Sequence, residues 1–265
     1  MFNLAELENA LAGSVFSGQL HFSPVTDSTN SAAQAAARSG APQGSVYFAD
    51  EQRAGRGRGD HAWHSAAGEG LYVSVLLRPK ISARRLTLMP LVAGLAAAEA
   101  IRETAGLAVD LRWPNDLLIG PRKAGGILVE GRIEGDDLSY IVVGIGINVH
   151  QRAFMTNLST AATSLDLASE RFVSRQALLV SLLKSLEREA FGLLDASALE
   201  SILTRVEQGS SWMRGCPVEV HGPQACMGVT DGLDDHGFLR VQTESGLRIV
   251  QTGGIRAMEI QRRYR

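Results

Sequence analysis

The sequence predicts an α+β fold: a mixed β-sheet flanked by helices, followed by a small all-β unit. Three observations predict it. Strand-like apolar runs and runs of helical period follow one another up to about residue 208. After Gly209 the texture changes to short strands broken by Gly, Asp and His, at a spacing that points to a small barrel. The chain has 265 residues, enough for one large domain and a small one.

Each element has its own signal. Leu4 to Leu11 reads as a short helix ended by Gly13. Asp27 or Ser28 can cap a helix through "TNSAAQAAARSG", and Gly40 can close it. "SVYFADE" reads as a strand feeding a loop of arginines and glycines. "LYVSVLLRP" is nearly all apolar and reads as a central strand buried on both faces. "LTLMPLVAGLAAAEAIRETAG" places apolar residues at 88, 91, 92, 95 and 101, a helical stripe. Three strands follow, "VDLRW", "GGILVEGRI" and "SYIVVGIGINV", and then two helices between Arg175 and about Gln208. The last strands are "CPVEVHG", "ACMGVTDG", "GFLRVQT" and "LRIVQTGG". The domain boundary falls near 209–214, giving domains of 1–210 and 211–265.

Composition narrows the class. Apolar residues make up 45% and charged residues 20%, and the formal net charge is −2. Such a chain is no electrostatic magnet for nucleic acid. No apolar run reaches the roughly 18 residues that span a bilayer. The N-terminus carries two acidic residues and no basic one, unlike a signal peptide. Cys216 and Cys226 make neither a disulfide framework nor a zinc set, and a reducing cytoplasm is expected.

Four stretches carry chemistry. From Arg53 to Gly59 there are three arginines and three glycines. The glycines let the backbone approach a ligand, and Arg56 and Arg58 present forks suited to phosphate or carboxylate. The spacing is neither a P-loop nor a dinucleotide fingerprint, so the loop is either solvated or an anion site of another design. In "RWPNDLLIGPRKAGGILVEG", Asn115 and Asp116 sit where a strand ends. Lys123 is either an exposed loop charge or a cation aimed into a cleft, and the Gly125–Gly126 pair favours the cleft. In "VVGIGINV", Gly144 and Gly146 fall on one strand face, where either a ligand or a helix packs. Asn148 at the strand's end can meet a base or a sugar. "DSTN" is either a plain N-cap or a set of hydroxyls, an amide and free N–H groups turned to a ligand.

In order and spacing these stretches resemble the biotin protein ligases. The carriers of the resemblance are Ser28-Thr29-Asn30; Gln52 with Gly55-Arg56-Gly57-Arg58; Trp113-Pro114-Asn115-Asp116; Lys123 with Gly126-Ile127-Leu128 and Glu130; and Gly144-Ile145-Gly146-Ile147-Asn148. The match is strong over about 20 to 150 and weaker at the C-terminus. Two places depart from the usual pattern: Gly59-Asp60 follow Arg58 where Arg-Gly is common, and Ala124-Gly125 follow Lys123 where a larger residue and Ala are common.

The resemblance implies a class II synthetase-like catalytic domain and an SH3-like C-terminal barrel. It implies ATP-dependent attachment of biotin to a lysine of a biotin carboxyl carrier protein, through biotinyl-5′-AMP, with Mg²⁺ assisting. Lys123, Arg56, Arg58 and Asp116 are then the catalytic candidates, Asp116 either serving the incoming lysine or orienting Lys123. Ser28, Thr29, Asn30, Gln52, Arg56, Gly57, Arg58, Lys123 and Gly126 are the biotin-site candidates. Arg56, Arg58, Trp63, Asn115, Lys123 and Asn148 are the ATP-site candidates. Ser28 comes so early that only about 20 residues precede the catalytic domain, too few for a winged helix, so the short monofunctional type is expected, without nucleic-acid or membrane partners. Homodimerisation is left open. A lipoate–protein ligase and a non-catalytic biotin-binding regulator are the alternatives.

Overall fold

The computed structural model describes residues 2–258 except 60, 81, 135, 136, 156, 157 and 194. The first unit is built on a seven-stranded sheet in the order β1-β2-β3-β7-β6-β5-β4. Its strands are β1 (Leu20–Thr26), β2 (Val46–Gln52), β3 (Gly70–Leu77), β4 (Asp110–Arg112), β5 (Asp116–Ile119), β6 (Arg122–Glu134) and β7 (Asp137–Asn148). β1 and β2 are parallel and every other neighbouring pair is antiparallel, so the sheet is mixed, as expected.

Helices cover both faces. α1 (Leu4–Ala10) precedes the sheet, and α2 (Thr29–Arg38) crosses from β1 to β2. α3 (Met89–Ala105) and α5 (Arg175–Gly192) pack on the opposite face from α2, with α4 (Leu165–Ser169) and α6 (Leu199–Gln208) nearby. Strand alternation decides which side chains go where. Leu71, Val73, Val75 and Leu77 of β3 and Ile141, Val143, Ile145 and Ile147 of β7 join the main core under α3 and α5. Leu76 and Val142 pack beneath α2 with Ala33 and Ala37. β3 is buried along its whole length, which explains why it is nearly all apolar.

Ser28 is the N-cap of α2, and its hydroxyl accepts from the Ser31 N–H. Gly40 follows the helix at φ 87°, where a side chain would strain the backbone. Gly106 closes α3 in the same left-handed region.

The C-terminal unit corrects one expectation. Its strands are β8 (Arg214–His221), β9 (Cys226–Leu233), β10 (Leu239–Thr243), β11 (Gly246–Val250) and β12 (Gly254–Ala257). They form an open five-stranded antiparallel sheet, β11-β10-β9-β8-β12, and not a closed barrel. After β11 the chain is caught by Gln224, whose side-chain carbonyl accepts from the N–H groups of Gln251 and Thr252. It then runs along β8, so β11 and β12 occupy opposite edges, with no ladder between them among the described residues. The unit shares a core with the first one: Trp113, Leu91 and Val206 pack with Met213, Val218, Leu239 and Val241. Both cysteines are free.

Candidate active site

The sheet face beside α2 builds the site. Across it run two rows of paired residues: Tyr72, Gly146, Gly126 and Asp116, and next to it Ser74, Gly144 and Leu128. The three glycines leave a floor without side chains, on which other groups lie. A Cβ on Gly144 would stand 2.0 Å from Asn30 Oδ1, and one on Gly146 would stand 2.6 Å from Trp63 Nε1. So the glycine face takes an asparagine from the start of α2 and the indole of the Arg/Gly loop, not a helix backbone. Gly125, where the sequence departs from the family pattern, faces the core: its Cβ would meet Leu117 Cδ1 at 2.9 Å.

A cavity of about 800 Å³ opens over this floor. Every candidate catalytic, biotin-site and ATP-site residue lines it: Ser28, Thr29, Asn30, Gln52, Arg56, Gly57, Arg58, Trp63, Asn115, Asp116, Lys123, Gly126 and Asn148. Residues as far apart as Ser28 and Asn148 thus meet because β2 and β7 end, and β6 begins, on the same side.

Most of the polar groups are held by partners. The Gln52 carbonyl accepts from the Thr29 N–H at 2.9 Å and from the Thr29 hydroxyl at 3.1 Å, while its NH₂ donates to Ser65 Oγ at 2.8 Å. Ser74 Oγ lies 2.8 Å from Thr29 Oγ1 and donates to Asn30 Oδ1 at 2.6 Å. The Asn115 amide donates to the Ile127 carbonyl at 2.7 Å, pinning the turn between β4 and β5. The Asn148 amide donates to the Thr163 carbonyl at 3.0 Å, and its oxygen receives Gln151 Nε2 at 3.4 Å. Thr163 O takes only a donor, so the Asn148 carbonyl oxygen has a fixed direction.

Three cations matter and are placed differently. Lys123 Nζ sits 2.5 Å from Asp116 Oδ1 and 5.5 Å from the centre of the Trp63 ring. The lysine is therefore a cleft cation and not a stray surface charge. Arg58 is half-buried and donates to the Gly253 carbonyl of the C-terminal sheet. Arg56 forms a two-pronged pair with Glu130, at 3.0 and 2.7 Å.

Asp116 is shared. Its second oxygen accepts from Arg112 at 2.6 and 3.1 Å. Arg112 also donates to Thr160 Oγ1 at 2.9 Å and lies over the Trp212 ring. Burial pushes the Asp116 carboxyl up, but the charges and hydrogen bonds of Lys123 and Arg112 outweigh it and hold the group below its usual range. A carboxylate so held is a weak base for an incoming lysine. It suits the other role, fixing the lysine ammonium.

This fixes a sign for pH. A depressed carboxyl contributes stability that is complete above the ordinary value, about 3.9, and is lost as pH falls through the folded value. The gap in melting temperature between wild type and Asp116→Asn is therefore expected to stay flat from pH 5 to 8 and shrink only below about pH 4. A gap that closes between pH 8 and 5 contradicts this assignment.

Sequence reasoning left three groups without a role: Glu130, Arg112 and the wall formed by His221, Gly222, Thr252 and Gly253. Glu130 was within reach, since it lies an even number of residues from Gly126 on one strand. The other two depend on contacts between distant segments.

Comparisons with known proteins give the family. Residues 22–148 match the model of the biotin/lipoate A/B protein ligase family. The bifunctional ligase/repressor BirA of Bacillus spizizenii is 31% identical over 256 residues, covering 95% of this chain and 78% of that protein. The biotin–[acetyl-CoA-carboxylase] ligase of Mycobacterium tuberculosis is 29% identical over 242 residues, covering 89% and 88%. Among solved structures, the biotin protein ligase of Aquifex aeolicus in complex with biotin and ATP superposes with a TM-score of 0.77 at 30% identity, covering 91% of this chain and 99% of that one. With its glycine floor, its cleft lysine and this degree of likeness along nearly its whole length, the chain belongs to the biotin/lipoate A/B protein ligase family, among the biotin protein ligases.

Proposed function

We propose that the cavity activates biotin with ATP and passes it to a lysine of a biotin carboxyl carrier protein. The observation that carries this reading is the convergence of Lys123 and Arg58 on one glycine-floored cavity. Its volume of about 800 Å³ lies within the range of about 300–1,000 Å³ usual for small-molecule sites.

In the first step a biotin carboxylate oxygen attacks the α-phosphorus of ATP. The bond from that phosphorus to the bridging oxygen breaks, and pyrophosphate leaves. Two anions must approach, so the barrier falls where fixed cations face them. Lys123 and Arg58 supply those cations. Asp116, itself held by Arg112, keeps the ammonium in place. Ser28, Thr29 and Gln52 offer donors and acceptors to the biotin head, and Trp63 and Asn148 take the nucleotide side. In the second step the neutral amine of the carrier lysine attacks the mixed anhydride carbonyl. AMP leaves with the electron pair, and the amine loses its proton to solvent. The anhydride is labile to water, so the loop from Arg53 to His61 has to cover it.

Mg²⁺ belongs to this scheme only as a companion of the triphosphate. No group of three or more His, Cys, Asp and Glu able to hold a metal exists among the described residues, and both Asp116 oxygens are engaged by cations. We read the C-terminal sheet as an SH3-like module that serves as the cavity's far wall, supported by the Arg58–Gly253 contact. Among the described residues no helix is long and apolar enough to cross a membrane.

The test is carrier labelling. With biotin, ATP and Mg²⁺, an apo carrier is expected to gain one biotinyl group on one lysine, with AMP and pyrophosphate released in equal amounts. Release of ADP, or an unlabelled carrier, contradicts the reading.

A further inference from the structure

We propose that Glu130 is a positioning residue that holds the Arg/Gly loop closed, and that its partner Arg56 is the loop's anchor and not a phosphate contact. The inference rests on the reading of the cavity as an acyl-adenylate site.

Glu130 stands on β6, on the same face as Gly126. Its two oxygens accept from the two ends of the Arg56 guanidinium at 3.0 and 2.7 Å. Its Oε2 also accepts from Asn30 Nδ2 at 2.9 Å. Asn30 cannot turn away: Ser74 donates to its oxygen at 2.6 Å, its NH₂ reaches the Leu128 carbonyl at 3.3 Å, and the missing Cβ of Gly144 makes its berth. A polar chain therefore runs from the middle of the sheet to the loop, Ser74 to Asn30 to Glu130 to Arg56. It joins three of the four stretches singled out from the sequence.

The two loop arginines consequently differ. A two-pronged arginine–carboxylate pair fixes both distance and plane. Arg56 is spent on that pair and carries no net charge toward the cavity. It also sits at the neck of the loop, bridged to Ala62, with the Gly57 N–H donating to the His61 carbonyl at 2.6 Å. Arg58, two residues further on, reaches the C-terminal sheet at Gly253. The loop is thus tied at one point to the catalytic sheet and at another to the second unit. Losing the first tie is expected to let the loop swing while leaving Lys123 and Arg58 intact.

The experiment compares wild type, Glu130→Gln, Arg56→Met, the double variant and the charge swap Glu130→Arg with Arg56→Glu. Besides the rate of adenylate formation, two quantities are read: the rate at which preformed biotinyl-AMP is released, and tryptic cleavage at Arg53 and Arg58 with and without biotin plus ATP. Both single variants are expected to release the adenylate about 10-fold faster and to be cut faster, with the double variant no worse than either, as residues acting as one unit behave. The swap should recover part of the loss. The proposal is overturned if Arg56→Met slows adenylate formation far more than Glu130→Gln and the two losses multiply, because Arg56 then acts on the phosphates. It is equally overturned if either single variant matches wild type in both readouts. Should Glu130→Gln not fold, the exposed Arg56→Met still decides by release and cleavage. A wild type that forms no adenylate refutes the functional reading instead, and the ligand-free cleavage rates still test the anchor.

Discussion

Lys123→Gln is expected to slow pyrophosphate release from biotin and ATP by about 10²–10³-fold, the usual worth of one electrostatic donor aimed at developing charge. Its fold should survive. The backbone of Lys123 makes the structural contacts, donating to the Ala161 carbonyl at 2.8 Å and accepting from the Thr163 N–H at 3.0 Å. Among the described residues its ammonium forms an ion pair with Asp116 alone, and Asp116 retains Arg112 as a second partner. Lys123→Arg should recover part of the rate, because a planar fork does not replace a point charge on a slim stem. Pyrophosphate release in a single turnover is the measurement. Near wild-type release from Lys123→Gln, with an unchanged melting temperature, would remove the lysine from the catalytic assignment.

Gly144→Ala is expected to be the most damaging of the small substitutions. The added methyl would stand 2.0 Å from Asn30 Oδ1 and 2.7 Å from its Cγ. Asn30 is 4% exposed and tied to Ser74, Leu128 and Glu130, so it cannot step aside cheaply. Overpacking of this kind costs about 1–3 kcal/mol, and here it also breaks the chain that reaches the loop. Both the melting temperature and biotin affinity should fall. The cause can be isolated, since in an Asn30→Ala background the clash disappears and Gly144→Ala should do little further harm. Additive losses in the double variant would show that the glycine is needed for another reason.

How far these features could be read in advance depends on their range in the chain. β3 and β7 announce themselves as apolar runs at the centre of the sheet, and β2 and β6 by shorter apolar stretches beside them. β1 does not: it is an edge strand, half-exposed along its length and interrupted by Pro24. β5 and β12 have four residues each, too few for a periodic signal. The site residues were legible as types at fixed spacings. Their partners were not, because Arg56 meets Glu130 across 74 positions and Arg58 meets Gly253 across 195. The expected barrel failed for a similar reason. Strand spacing is local, whereas closure depends on which edge β12 joins, and that is decided by Gln224 and β8.

The central claim is that this cavity makes an acyl-adenylate of biotin. Mass spectrometry of the protein incubated with ATP, Mg²⁺ and either biotin or lipoate tests it most directly. Biotinyl-AMP should appear with biotin, bound to the protein in the absence of carrier, and no lipoyl-AMP should appear with lipoate. Lipoyl-AMP in place of biotinyl-AMP, or no adenylate from either acid, would contradict the account.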